Sequence, residues 1–209
     1  MNKDLDSDPA LAASLCAAAH RRLEETAAGL DDETVRQPSR LPGWTIAHVL
    51  THLARNADGH ARRLEGSLRG EELARYPGGR EQRARDIEAG AGRVAAEISG
   101  DVAASAARLE ETWTACLEAG WPHRDLRAGD EYPTTSIPVR RLREVEMHHL
   151  DLGLRYRIAD WPPEYVAWEL PQILATVPGR VKELSDARSL VAWLSGRGPV
   201  PTAIGLEDW

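Results

Sequence analysis

The sequence predicts a mainly α-helical protein, an antiparallel four-helix bundle followed by a small α/β domain. Apolar residues recur at helical spacing through most of the first 155 residues, and no segment there alternates apolar and polar residues as a strand does. Moderate loops join the helical segments, which favours antiparallel neighbours around one core. We place the domain boundary where this pattern changes, so that residues 1–158 form the bundle and residues 159–209 form the small domain.

The first two predicted helices each begin at a recognisable capping residue. One starts at Pro9, directly after Asp8, and runs to about Gly29 with an apolar stripe on one side. The next follows Thr45, whose side chain can cap it, and has apolar residues at every third or fourth position. The polar stripe beside that apolar face consists of His48, His52 and Arg55.

The middle of the chain is less regular. Two helical patterns cover residues 80–99 and 101–119, with Asp101 as the expected cap of the second. Either helix could be the third member of the bundle. No helical period is found in residues 120–136, and this stretch is open to a short strand or a lid.

The last long helix is expected to start at Pro138 and to run to about Arg157. Its polar side carries Arg141, Glu144, His148, Asp151 and Arg155. Beyond residue 159 the chain is interrupted by prolines and short-helical, and a further helix ends at Gly196 before an extended tail.

Composition argues against several classes of partner. The formal net charge of −7 is not concentrated in a tail, and no basic block with interleaved aromatic residues suggests nucleic-acid binding. The first residues are acidic where a signal peptide would be basic, and no apolar run approaches the roughly 20 residues that span a bilayer. We therefore expect a cytoplasmic monomer or homodimer that binds neither nucleic acid nor membrane.

The two cysteines, Cys16 and Cys116, are expected to be buried apolar residues. Both lie inside helical patterns and neither belongs to a C-x-x-C motif. Neither a disulfide framework nor a zinc knuckle is therefore indicated.

Two pairs of residues spaced by four are candidate metal ligands: His48 with His52, and Glu144 with His148. Residues four apart on a helix project from the same face, so two adjacent helices could direct imidazoles and a carboxylate at one point. Each pair also has an ordinary interpretation, as hydrogen-bonded boundary residues or as a surface ion pair. The histidines without such spacing are expected to lie on the surface; they are His20, His60 and His123.

Three separated segments, LPGWTIAHVLTHLARNADG, LREVEMHHLDLGLRY and LSGRG, resemble the mycothiol-dependent maleylpyruvate isomerase family. The amino-terminal domain of that family belongs to the DinB/YfiT-like superfamily of metal-binding bundles, so the resemblance implies a DinB-like fold. It further implies that His52, Glu144 and His148 bind zinc, with His48 a neighbour of the site. It also implies that Arg197, in the Gly-Arg-Gly segment, is needed for activity.

The resemblance implies chemistry in which zinc-bound mycothiol acts as a thiolate. Two imidazoles and one carboxylate leave a fourth zinc position open, and a thiol bound there loses its proton. The thiolate would add to the cis double bond of maleylpyruvate, the resulting single bond would rotate, and elimination would give fumarylpyruvate. The catalytic residues in this scheme are His52, as a ligand, and Arg197, which could pair with the enolate or a substrate carboxylate. Asp151 could orient a ligand imidazole or cap its helix.

Three functions fit this pattern. An isomerase predicts a dianionic substrate and at least two cationic anchors, for which Arg55 is a weaker candidate than Arg197. A mycothiol S-transferase would need the same metal site and would release the conjugate with an electrophile. A metal-binding bundle without catalysis would tolerate the loss of Arg197. The arginine motif favours an enzyme, and the isomerase is favoured only slightly because the region after residue 159 is short for this family.

Overall fold

The computed structural model describes residues 5–121 and 132–206, which contain eight α-helices. The helices are α1 (Pro9–Ala28), α2 (Asp32–Val35), α3 (Ile46–Arg69), α4 (Gly79–Ala91), α5 (Ala95–Glu118), α6 (Ile137–Asp151), α7 (Pro163–Arg180) and α8 (Leu184–Leu194). The chain divides into two compact units, Met1–Pro162 and Pro163–Trp209. The predicted domain boundary at residue 158 stays a prediction.

The long helices α1, α3, α5 and α6 form the predicted four-helix bundle. Both α1 and α3 pack against α5 and α6, so the four helices close a ring around one core. Successive hydrogen bonds between α1 and α6 involve later residues of both helices, so these two helices run in the same direction. Between α3 and α6, later residues of α3 bond to earlier residues of α6, so these two helices are antiparallel. The bundle therefore contains both parallel and antiparallel neighbours, and the predicted mainly α-helical four-helix bundle is confirmed.

A crossover connection containing α4 explains the helix order. Successive ion pairs between α3 and α5 involve later residues of both helices, so these two helices are parallel. The chain therefore has to return along the bundle between the end of α3 and the start of α5. The returning segment includes α4, which packs on α3. A Cβ atom at Gly90 would lie 2.5 Å from Cγ2 of Thr51, so this close approach requires a glycine. The contact between Gly90 and Thr51 places α4 beside the first turns of α3.

The starts of α1 and α3 confirm the predicted caps. The carboxylate of Asp8 accepts the amide of Leu11 at 3.0 Å, ahead of Pro9 in the first turn. Thr45 accepts the amide of His48, and Nδ1 of His48 accepts the amide of Thr45 in return. This is a capping box in which histidine takes the place of the usual Glu or Gln.

Aliphatic side chains from all four long helices fill the bundle core. The largest of them have at most 1% of their surface exposed and are Leu23, Leu50, Leu53, Leu64, Ile98, Leu109, Ile137 and Leu142. Cys16 and Cys116 are buried among them as free cysteines, which confirms their predicted placement. Alanines such as Ala12, Ala54 and Ala106 are also buried and let the helices approach closely.

The predicted helix start at Asp101 is wrong. α5 begins at Ala95 and continues through Asp101 without a break. The carboxylate of Asp101 accepts hydrogen bonds from Arg55 and Arg93, each at 2.5 Å. Asp101 therefore joins neighbouring segments by ion pairs and does not cap a helix.

The last bundle helix is shorter than predicted. α6 begins at Ile137, one residue before Pro138, and ends at Asp151, six residues before the predicted end. Gly153, with φ +71°, then turns the chain away. Of the irregular stretch 120–136, the structure describes Thr134–Ser136 as a single 3₁₀ turn, and the predicted strand or lid falls largely on residues 122–131, outside the described residues.

The second unit is helical in its described residues. It contains α7, which continues through Pro171 and Pro178, and α8. Residues 163–206 contain one isolated antiparallel bridge, between Val181 and Leu206, and the expected α/β character of this region is not shown. None of the helices described in either unit is long and apolar enough to cross a membrane.

Candidate metal centre

Three side chains from α3 and α6 converge, with His52 buried and Glu144 and His148 partly exposed. His52 lies in the second turn of α3, and Glu144 and His148 lie one turn apart on α6. One ligand atom from each residue lies within 4.8 Å of the other two, so the group could hold a metal ion. The structure thus brings together the three residues that the sequence resemblance indicated, while their role as ligands stays a prediction.

The spacing of the three ligand atoms suits a small divalent metal. Nε2 of His52 lies 3.0 Å from Oε2 of Glu144, and Nε2 of His148 lies 3.7 Å from the same oxygen. Tetrahedral zinc, with bonds of about 2.0–2.2 Å, spaces its ligand atoms about 3.3–3.5 Å apart. The two observed distances lie on either side of that value, so small side-chain adjustments would place all three atoms around one ion. Imidazole and carboxylate are donors that zinc and similar metals accept.

Asp151 orients the imidazole of His148. Its Oδ2 lies 2.9 Å from Nδ1 of His148, one turn along α6. An ionised carboxylate only accepts hydrogen bonds, so Nδ1 carries a proton and Nε2 is the ring nitrogen that faces Glu144. Histidines that bind metals are generally held in this way. Of the two roles open to Asp151, the geometry supports orientation of the imidazole.

The imidazole of His52 is held differently. Arg83 of α4 donates to Nδ1 of His52 at 2.6 Å, so Nε2 carries the proton and donates to Glu144. The indole of Trp44 packs edge-on against the ring, 5.6 Å between centroids. A metal on Nε2 would require the proton to move to Nδ1 and Arg83 to turn aside. The donor set fits a divalent metal, and Arg83 is the neighbour that has to adjust.

The electrostatics pair an ionised carboxylate with a neutral imidazole. Burial lowers the pKa of His52 from 6.5 to about 4, despite the hydrogen bond to Glu144. Burial by itself would raise the pKa of Glu144, but the hydrogen bond from His52 and the nearby His148 and Arg75 lower it from 4.5 to about 2. At neutral pH His52 is neutral and Glu144 is ionised, which are the protonation states that metal ligands need.

His48 lies outside the candidate centre because both of its ring nitrogens are bound elsewhere. Nδ1 lies 2.7 Å from the hydroxyl of Thr45 and also accepts the amide of that residue. Nε2 lies 3.2 Å from Oε2 of Glu88 on α4. His48 therefore helps to cap α3 and to hold α4, and it is a neighbour of the group, in line with the resemblance.

The two arginines considered as carboxylate anchors occupy different settings. Arg55 is ion-paired with Asp101 at 2.5 Å and with Asp58 at 3.0 Å, so it has the structural salt-bridge role. Arg197 is exposed in the second unit, where its NH1 donates to the carbonyl of Ser195 at 2.8 Å. Its part in catalysis stays a prediction.

The expectation that the remaining histidines lie on the surface is wrong for two of them. His20 is 1% exposed and His60 is 0% exposed. Nδ1 of His20 lies 2.7 Å from Glu110, and Nε2 of His60 accepts from Arg75 at 3.1 Å. Polar partners from distant parts of the chain make their burial possible, and sequence spacing does not reveal such partners. His123 lies outside the described residues.

Sequence reasoning gave no role to three arginines around the group. Arg141 is completely buried, and its NH1 donates to the carbonyl of Leu53 at 2.8 Å and to Asn56 at 3.0 Å. Arg141 lies three residues before Glu144, on the stripe of α6 that faces α3, and this spacing is the sequence signal that could have predicted its burial. Arg75 and Arg83 belong to the crossover between α3 and α5, where no motif was found, and nothing in the local sequence indicates them.

The fold and the three convergent side chains define a helical bundle with a candidate metal centre. A family model described as the mycothiol maleylpyruvate isomerase N-terminal domain matches residues 16–153. The chain therefore belongs to this family, and the resemblance read from the sequence is confirmed. No curated protein matches the chain significantly.

Two solved structures are similar to the chain. One is the crystal structure of the mycothiol-dependent maleylpyruvate isomerase, at 26% identity and a TM-score of 0.70, covering 80% of this chain and 69% of that one. The other is the crystal structure of a histidine-to-alanine mutant of the mycothiol-dependent maleylpyruvate isomerase, at 25% identity with the same TM-score and coverage. At this similarity the overall helical architecture is shared.

Proposed function

We propose that this protein is a zinc-dependent, mycothiol-using isomerase that converts maleylpyruvate, or a related cis-unsaturated diacid, to the trans isomer. The observation that carries the proposal is the convergence of His52, Glu144 and His148 in a member of this enzyme family. Solved relatives at 25% and 26% identity are described as mycothiol-dependent maleylpyruvate isomerases, which supports the same reaction class here.

The residues of this chain would prepare the site for a metal and a thiol. Two imidazoles and one carboxylate would hold the ion and leave a coordination position for a fourth ligand. A zinc ion bound there would lower the pKa of a coordinated thiol, which supplies the nucleophile for reversible addition to a conjugated double bond. Asp151 keeps Nε2 of His148 available, and Trp44 covers one side of His52.

Two experiments test the reaction. Purified protein loaded with zinc is incubated with mycothiol and maleylpyruvate, and separately with mycothiol and a bimane electrophile. Formation of the trans product with mycothiol unchanged is expected. Consumption of mycothiol with the bimane alone, at a rate above that of the enzyme-free reaction, would assign an S-transferase, and no catalysed turnover of either would indicate a bundle without this catalysis.

The metal assignment is tested by substitution. His52→Ala should reduce bound zinc from about one per chain to a small fraction, because two ligands hold the ion far less tightly than three. Retention of zinc at the wild-type level in that variant would reject the ligand set. Metal analysis after extensive dialysis measures the bound zinc per chain independently of activity.

Arg197 has a separate test because its predicted role is in turnover and not in metal binding. Arg197→Ala should retain bound zinc and lose most activity. Arg188→Ala removes another exposed arginine of the same unit and is the matched control. Equal activity in the two variants would remove Arg197 from the mechanism.

A further inference from the structure

Arg83 of α4 contacts His52 at the ring nitrogen that does not face Glu144. Its guanidinium donates to Nδ1 of His52 at 2.6 Å, and Nε2 of the same ring lies 3.0 Å from the carboxylate of Glu144. The guanidinium also lies 5.3 Å from the centre of the Tyr76 ring, and its Nε has no hydrogen-bond partner among the described residues. Through Arg83, α4 therefore reaches a residue of the candidate metal centre.

The hydrogen bond from Arg83 and a metal ion on Nε2 of His52 exclude each other. A guanidinium only donates, so Nδ1 can accept from it only while Nδ1 carries no proton. A metal ion on Nε2 leaves the neutral imidazole with its single proton on Nδ1, and two N–H donors cannot bond to each other. The usual partner of a metal-bound histidine is an acceptor, such as a carboxylate or a carbonyl. Metal binding therefore requires Arg83 to leave His52.

Asp151 provides the comparison within the same group. Its carboxylate lies 2.9 Å from Nδ1 of His148, so this nitrogen carries a proton, as it does when a metal ion occupies Nε2. His148 is thus held in the form that a metal ion needs, whereas Arg83 holds His52 in the opposite form. Since the competing form has to be given up first, the bond from Arg83 lowers the apparent affinity for the metal.

The two halves of α4 are held to the bundle in different ways. In the second half, Ile87 and Ala91 are buried, and Oε2 of Glu88 lies 3.2 Å from Nε2 of His48. The first half, residues 79–86, contains no buried side chain, and its described hydrogen bond to α3 is the one from Arg83. The first half of α4 is therefore the part whose attachment depends on Arg83.

The start of α4 is also weakly fixed. Gly78 and Gly79 have φ of +80° and +75°, and no side chain caps the amides of the first turn. A Cβ atom at Gly79 would meet no other atom within 4 Å, so the backbone is not packed against its surroundings at this point. Segments with few buried contacts open locally at a low cost in free energy. Loss of one hydrogen bond can therefore release this half of the helix.

We propose that Arg83 competes with the metal ion for His52 and that its displacement releases residues 79–86 of α4 from α3. The inference rests on the proposed function, because that function supplies the metal. It adds to that function a conformational change of the crossover between α3 and α5 that accompanies metal loading.

Zinc affinity of the full chain tests the competition. Arg83→Met keeps the length of the side chain and removes its donors, so it should bind zinc about tenfold more tightly than the wild type, as measured with a chelating indicator. Arg85→Met removes an exposed arginine whose contacts lie within α4, and this control should bind zinc like the wild type. Affinity of Arg83→Met equal to or weaker than that of the wild type would overturn the competition.

Amide hydrogen exchange tests the release of α4. Zinc should accelerate exchange at residues 83–86 of the wild type at least about fivefold, although a bound ligand ordinarily slows exchange. In Arg83→Met these amides should exchange rapidly without zinc and change little when it is added. The amides of α5 are the internal control and should not change. Removal of a charge near the ion would not produce this pattern, and unchanged or slower exchange at residues 83–86 of the wild type would overturn the release.

Failure of this inference and failure of the proposed function can be told apart. Isomerase turnover with equal zinc affinity in Arg83→Met and wild type would reject the competition and retain the function. Tighter zinc binding by Arg83→Met without turnover by either protein would do the reverse, and absence of zinc binding by both would reject both. If Arg83→Met loses its helical circular dichroism, Arg83→Gln replaces it; its amide oxygen can accept from Nδ1, so tighter zinc binding is again expected.

Discussion

The two pairs of residues spaced by four, His48 with His52 on α3 and Glu144 with His148 on α6, have the same helical geometry and different surroundings. On α6 both members face the candidate metal centre. On α3 only His52 does, because the ring nitrogens of His48 contact Thr45 and Glu88. Although the spacing is equal, both members of the α6 pair belong to the candidate metal centre, whereas only one member of the α3 pair does.

Position along the helix explains the difference. His48 lies in the first turn of α3, where amide groups lack partners within the helix and a side chain can supply one. Glu144 and His148 lie beyond the first turn of α6, where the backbone amides are already bonded and side chains are available for other contacts. An i, i+4 pair at a helix start is thus more readily diverted to capping than a pair further along.

The largest expected loss of zinc affinity comes from neutralising Glu144, whose carboxylate lies beside both histidines. Glu144→Gln should weaken zinc binding more than about 100-fold, since losing a direct ligand exceeds the 10- to 100-fold cost of losing a supporting contact. His48→Gln is the matched control from the other pair and should retain wild-type affinity. Competition with a chelating indicator measures both, and equal affinities in the two variants would contradict the division of roles.

A smaller loss of zinc affinity is expected when a carboxylate that is hydrogen-bonded to a histidine ligand is substituted. Asp151→Asn should weaken zinc binding about 10- to 100-fold, because the bond that directs Nε2 of His148 becomes weaker. Glu88→Gln changes the corresponding partner of His48 and should leave affinity unchanged. The same indicator assay applies, and a loss in Glu88→Gln equal to that in Asp151→Asn would place His48 in the centre.

Acidification should reveal the buried neutral state of His149. Burial, together with Arg22, lowers the pKa of His149 from 6.5 to about 4, so the unfolded chain takes up this proton first. The free energy of unfolding therefore falls as pH decreases from 6.5 towards 4, by about 1.4 kcal/mol per pH unit for each such histidine. His149→Phe, which can still stack on Tyr156, should show a shallower slope in urea unfolding of metal-free protein. An unchanged slope would contradict the buried neutral state.

The smallest effect concerns the capping role of His48. His48→Ala should reduce the free energy of unfolding by about 1 kcal/mol, because the amide of Thr45 loses its side-chain partner. His48→Gln, which can reform the capping box, should retain most of this stability. Urea unfolding of the metal-free protein checks the pair, and equal stability of His48→Ala and wild type would show that the cap contributes nothing measurable.

Local signals predicted the helices that have clear starts and missed the boundaries set by tertiary contacts. Asp8 and Thr45 lie directly before their helices, so capping chemistry placed both starts correctly. Asp101 has the same capping chemistry, yet it accepts Arg55 and Arg93 within a continuous helix. A carboxylate that can cap can also pair with an arginine, and only the neighbours in space decide between the two.

The sequence by itself determined the four-helix architecture and, through its resemblance to a family, the candidates His52, Glu144 and His148. Helical periodicity and caps are properties of neighbouring residues, so they can be read along the chain. The tertiary structure decided that His48 caps α3 and that Arg75 and Arg83 reach this region from the crossover. Such contacts join residues far apart in the sequence, and their geometry depends on how α3, α4 and α6 pack, which no local pattern encodes.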